Sequence, residues 1–166
     1  IMTIAYDNTA VAEKPIRWQM PRLLGVSAVF GLASVAQSFG LLLIGMEVLS
    51  DPAEASYFQL TDKSHLQTVM FLQLVAGGHL LLLVTRTRDW FFKPPYPATP
   101  LFVAIVATQL LAVLMCGFGW IVPAISWTLI AWVWVYLLAW LVVLGVVRVL
   151  TERFLDHRTG KWARAL

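Results

Sequence analysis

LFVAIVATQLLAVLMCGFGWIVPAISWTLIAWVWVYLLAWLVVLGVV, residues 101–147, contains no Asp, Glu, Lys, Arg or His. An α-helix rises about 1.5 Å per residue, so a hydrocarbon core about 30 Å thick takes roughly 20 apolar residues to cross. The stretch is long enough for two crossings and is interrupted by Gly119 and Pro123. It therefore reads as two spans, 101–121 and 124–147, whose short Gly119-Trp120-Ile121-Val122-Pro123 connection permits only a tight antiparallel hairpin.

Upstream lie two further apolar runs, 24–46 and 66–85, of which only the second holds an ionisable group, His79. The chain of 166 residues is 60% hydrophobic and 13% charged, with a mean hydropathy of +0.77. Soluble domains carry about a quarter charged residues, so a soluble fold is excluded. The expected fold is an all-α integral membrane protein of four transmembrane helices arranged as two antiparallel hairpins. A segment 1–22 precedes the transmembrane domain 23–149, and a basic tail 150–166 follows it.

The loops predict orientation, because Lys and Arg near span ends are retained in the cytoplasm. Lys14, Arg17 and Arg22 precede the first span; Arg86, Arg88 and Lys93 follow the second; Arg148, Arg153, Arg158, Lys161 and Arg164 follow the fourth. The other side holds Lys63 among Asp51, Glu54 and Asp62. Both termini are thus expected in the cytoplasm. The net charge of +3 reports this asymmetry rather than a polyanion site, since the cations form no continuous face, and no nucleic-acid partner is expected. The partner that composition does demand is the lipid bilayer.

Residues 93–100, KPPYPATP, cannot continue a helix and read as a stiff connector between the hairpins. Trp18, Trp90 and Trp162 on one side, and Trp120 and Trp127 on the other, fit interfacial aromatic belts, whereas Trp132, Trp134 and Trp140 lie deeper and read as packing residues. Residues 1–22 lack the apolar core and cleavage site of a signal peptide. Ile1-Met2-Thr3-Ile4 reads instead as the end of a hydrophobic element, with polypeptide expected upstream.

Polar groups inside a bilayer are the natural site candidates, because leaving them unsatisfied is costly. They are Gln37 in the first span, Gln73 and His79 in the second and Gln109 in the third, with Ser38 and Gln67 beside them. Gln73 and His79 are six positions apart, about 120° out of alignment on a helix, and form no single stripe. All four read as interhelical hydrogen-bonding groups with a structural role. His79, preceded by Gly77-Gly78, is expected to bond a neighbouring helix. Bis-His haem ligation would need a second intramembrane histidine, and His65 and His157 lie outside the spans. Glu47 ends the first span and reads as hydrated. Cys116 is the only cysteine and has no disulfide or metal partner. No nucleophile set, phosphate loop or metal-ligand spacing is present, so no catalytic, cofactor or metal residues are expected.

Three stretches carry a family resemblance. Ile1-Met2-Thr3-Ile4-Ala5-Tyr6-Asp7-Asn8 resembles the close of the sixth membrane helix in plasma-membrane-type proton-exporting P-type ATPases. Pro15-Ile16-Arg17-Trp18 is similar to that family's basic loop before helix seven, and Leu83-Val84-Thr85-Arg86-Thr87-Arg88-Asp89-Trp90-Phe91-Phe92 to its signature at the cytoplasmic end of helix eight. The resemblance implies that the four spans are helices seven to ten. It also implies a plasma-membrane location, a role buttressing the ion-translocating helices, and the remaining helices and domains of the ATPase as partners. ATP and Mg²⁺ are implied for the complete pump, none for this chain. The family's DKTGT phosphorylation motif, dephosphorylation loop and nucleotide pocket have no counterpart here, and Asp7 does not match the aspartate of the proton path. The chain alone is therefore expected to be inactive, whether a C-terminal fragment or a split-gene product. The alternative is an autonomous four-span accessory or anchor subunit without catalytic activity. A small enzyme acting on lipid or quinone would need a reactive constellation that these residues do not supply.

Overall fold

The computed structural model describes residues 7, 8, 20–86, 90, 94 and 96–162, with side chains of the last helix to Phe154. Most of the resemblance at 1–8 and all of 15–18 lie outside these residues, as do Lys14, Arg88, Lys93 and Pro95. The side chains of His157, Arg158, Lys161 and Trp162 and the whole of Arg164 do so too.

Among the described residues five helices follow in order: α1 (Met20–Ser50), α2 (Pro52–Phe58), α3 (Lys63–Thr85), α4 (Thr99–Phe118) and α5 (Trp127–Trp162). The described residues contain no strand, and α1, α3, α4 and α5 are each long and apolar enough to cross a membrane. Leu32, Phe39, Leu43, Leu110, Trp132 and Val142 are among the large apolar side chains left on the outside. An apolar exterior is what a bilayer demands of such helices, which reverses the reading this surface would have in water.

The helix ends follow local chemistry. Asp51 caps α2 by accepting from Ala53 N–H at 2.9 Å, with Pro52 in the first turn, where its missing donor costs nothing. Asp62 caps α3, accepting from Lys63 N–H at 2.6 Å and from Ser64 Oγ at 3.1 Å. The Lys63 N–H, then the Ser64 hydroxyl, hold the Asp62 carboxyl below its ordinary range. α4 ends at Gly119, in the left-handed region at φ 69°, with its N–H on Met115 O. A Cβ there would lie 3.1 Å from Ala124 N, so glycine is required both by conformation and by space.

Two features go beyond the sequence reading. The loop after the first span folds into α2 and then inserts Leu60, which is 1% exposed, into the main core. The helix that carries the fourth span continues into the basic tail: α5 runs unbroken to Trp162, with no glycine or proline between Arg148 and Thr159.

α3 is the most enclosed span. Leu72 and Ala76 of α3, Cys116 of α4 and Leu137 of α5 are fully buried together. The most extensive packing is between α3 and α5, followed by α3 with α4 and with α1. α4 and α5 are joined at their turn, where Ile125 N–H donates to Cys116 O at 2.9 Å and the Trp127 ring lies over Gly117. Each nevertheless packs more extensively on α3 than on the other. A smaller cluster of Phe30, Val84 and Leu144 brings α1, α3 and α5 together at the opposite end.

Candidate functional site

The polar side chains within the spans meet between helices rather than around a common point. Gln73 Nε2 of α3 donates to Ser38 Oγ of α1 at 3.2 Å. Gln109 Nε2 of α4 lies 3.3 Å from Ala76 O and 3.2 Å from His79 Nδ1, both on α3. Tyr136 of α5 donates its hydroxyl to Gln37 O of α1 at 2.6 Å. These contacts link α4 to α3, α3 to α1 and α1 to α5. Gln73 and His79 face different neighbours, which is what their angular separation on α3 demands.

Small residues set the approach. A Cβ at Gly40 would sit 2.8 Å from the Tyr136 hydroxyl, so the bare backbone there is what admits the bond to Gln37 O. At Gly77, Gln37 Nε2 and Leu137 lie 3.4 and 3.6 Å from the Cβ position, whereas nothing lies within 4 Å at Gly78. Of the glycine pair, only the first therefore meets neighbouring helices. Gln37, Gln73 and Gln109 are all buried, and Ser34 Oγ, Gln73 Oε1 and Gln109 Oε1 are enclosed without a hydrogen-bond partner among the described residues.

The described ion pairs are gathered at the end where α1 and α4 begin and α3 and α5 finish. Glu152 of α5 is bridged to Arg22 at the start of α1 and, at 3.1 Å, to Arg148 one turn back on its own helix. The Arg148 guanidinium also lies 5.8 Å above the Phe30 ring. In a second cluster, Arg86 Nε at the end of α3 bonds Asp7 Oδ2 at 2.5 Å, Ala98 N–H at the start of α4 donates to Asp7 Oδ1 at 2.9 Å, and Arg86 Nη2 donates to Asn8 O at 2.8 Å. The Asp7 and Arg86 side chains are 5% and 4% exposed. Desolvation raises the Asp7 carboxyl, but the Arg86 hydrogen bond, the Ala98 N–H and the guanidinium charge together bring it below its ordinary range.

The opposite end is held by neutral groups. Thr68 Oγ1 donates to Pro123 O at 3.1 Å, and Ser126 Oγ donates to Phe58 O at 2.8 Å while accepting from Leu129 N–H at 3.2 Å. Among the described residues no three His, Cys, Asp or Glu side chains converge as metal ligands. The described residues do not fit a Mg²⁺ ion.

Sequence reasoning named Gln37, Gln73, His79 and Gln109 but passed over Tyr136, Glu152 and the role of Asp7. Glu152 was legible in principle, since Arg148 and Glu152 have the (i, i+4) spacing of a helical ion pair.

No family model matches the chain. It is 32% identical over 143 residues to a protein named as a cation-transporting ATPase of Methanocaldococcus jannaschii, a match covering 86% of this chain and 16% of that protein. It is 31% identical over 122 residues to plasma membrane ATPase 2 of Schizosaccharomyces pombe, covering 72% of the chain and 11% of the relative. A Leishmania donovani protein named as a proton ATPase is 27% identical over 177 residues, covering 94% and 18% respectively. The chain thus spans 11–18% of the length of these three relatives. With four apolar helices built as described, the chain is a homologue of the P-type, plasma-membrane proton ATPases and corresponds to one membrane segment of them.

Proposed function

We propose that the chain is the support module of a proton-exporting P-type ATPase, corresponding to its helices seven to ten and buttressing the helices that carry the ion. Both termini and the 86–100 connector face the cytoplasm, and the site of action is the plasma membrane. ATP and Mg²⁺ are bound by the rest of the pump, and that rest, with the lipid bilayer, is the partner.

The observation that carries this reading is the kind of polar group found between the spans. Each of the four helices is tied to another by neutral hydrogen bonds, Gln73 to Ser38, Gln109 to Ala76 and His79, and Tyr136 to Gln37. The described ion pairs lie at one end of the bundle. An ion path calls for ionisable groups converging at mid-membrane, whereas a scaffold calls for interhelical bonds. Purified chain reconstituted into liposomes should neither hydrolyse ATP nor acidify the lumen. ATP-driven acidification by the chain free of other polypeptides would overturn the proposal.

A further inference from the structure

We propose that Asp7 is a positioning residue: it latches the polypeptide entering the first span onto the support module, so that movement of that polypeptide is borne by α3 and α4. The inference rests on the reading above, in which the polypeptide ahead of this segment carries the ion path.

The four spans do not need Asp7 to hold together. α3 and α4 are joined by Gln109 and by the core around Ala76 and Cys116, and α1 and α5 by Tyr136 and by the Arg22–Glu152 bridge. Asp7 precedes the first of them in the chain. Its carboxylate spends one oxygen on Arg86 and the other on the Ala98 N–H, while Arg86 also holds Asn8 O. One short stretch is thereby bonded to the last residues of α3 and the first of α4 together, at a place where both charged side chains are out of solvent. A buried, two-point carboxylate contact is directional and stiff, because each oxygen has its own donor and neither has water as a substitute. What it fixes is the Asp7-Asn8 pair relative to the ends of α3 and α4. Breaking it releases that stretch and leaves the bundle intact.

Asn at position 7 keeps an acceptor for Ala98 but loses the charge that holds Arg86. Ala98→Pro removes the N–H donor, and the backbone there already has φ −59°, which proline adopts. The test uses the complete ATPase polypeptide carrying this segment, reconstituted in vesicles, with ATP hydrolysis and proton movement measured together. The unaltered protein must acidify the vesicles in an ATP-dependent manner; if it does not, the support reading itself fails, independently of the latch. In a pump that does, Asp7→Asn and Ala98→Pro should lower the protons moved per ATP hydrolysed by about twofold or more at normal folded yield. A purely structural role would lower hydrolysis and transport in proportion and leave that ratio unchanged, and this result would overturn the latch. Should Asp7→Asn fail to fold, the ratio in Ala98→Pro decides in the same way.

Discussion

Gln109 and His79 meet across the α4–α3 interface at 3.2 Å, Nε2 to Nδ1, while the same amide nitrogen reaches Ala76 O. With Gln109 donating, the imidazole accepts at Nδ1 and acts as a stitch between two helices. Single interhelical hydrogen bonds of this kind contribute about 0.6 kcal/mol on average. His79→Leu and Gln109→Leu should each lower the melting temperature modestly, and the double variant should cost less than the sum of the singles. In a pump containing the segment, His79→Gln should retain most proton transport per folded molecule. Loss of transport at normal folded yield would identify a proton-handling histidine instead.

Glu152 should matter more to stability than any of the neutral pairs. Its carboxylate is enclosed against Arg22 and Arg148, and removing one partner of a buried ion pair costs about 3 kcal/mol. Glu152→Gln should lower the thermal midpoint well beyond either the His79 or the Gln109 substitution. An unchanged midpoint would show that water or lipid headgroups serve the two guanidiniums equally well.

The Asp7 latch carries a pH signature. Its carboxyl titrates below the ordinary value of 3.8 in the folded state, so the folded form binds that proton less readily than the unfolded form. The stabilisation is therefore complete above the unfolded value and lost as pH falls through the lower folded one. The gap in melting temperature between the unaltered chain and Asp7→Asn should persist at pH 7 and narrow below about pH 4. A gap that stayed constant to pH 2 would argue against an ionised Asp7.

Orientation is open to labelling with thiols. Cys116 is wholly buried and gives a silent background. Cysteines placed at Ser56 in α2 and at Tyr96 in the connector, both exposed, should react from opposite faces of sealed cells, with Tyr96→Cys on the cytoplasmic side. Labelling of both from one face would refute the four-span topology.

Four spans could be read from apolar length alone, because a bilayer imposes a fixed thickness on any helix that crosses it. The division of labour among the polar residues was less legible. Gln73 and His79 could be assigned to different faces of α3 from their spacing, but which helices lay on those faces depended on packing. α3, and not the hairpin partner, proved to be the main neighbour of both α4 and α5. Tyr136 escaped notice because its importance depends on Gly40, nearly a hundred residues away in sequence. Asp7 was judged by what it does not match; the bonds that define it come from residues 86 and 98.

The unbroken course of α5 makes it a lever. Its 36 residues amount to about 54 Å of continuous helix, of which the hydrocarbon core takes up about 30 Å. Arg148 and Glu152 sit where the rod leaves the apolar region and act as a fulcrum against α1. A force applied to the outer arm would turn the inner arm, on which Leu137 and Val133 fill the centre of the bundle. Whatever grips the outer arm would have a mechanical handle on the middle of the bundle, and a rigid label near Phe154 would report its angle.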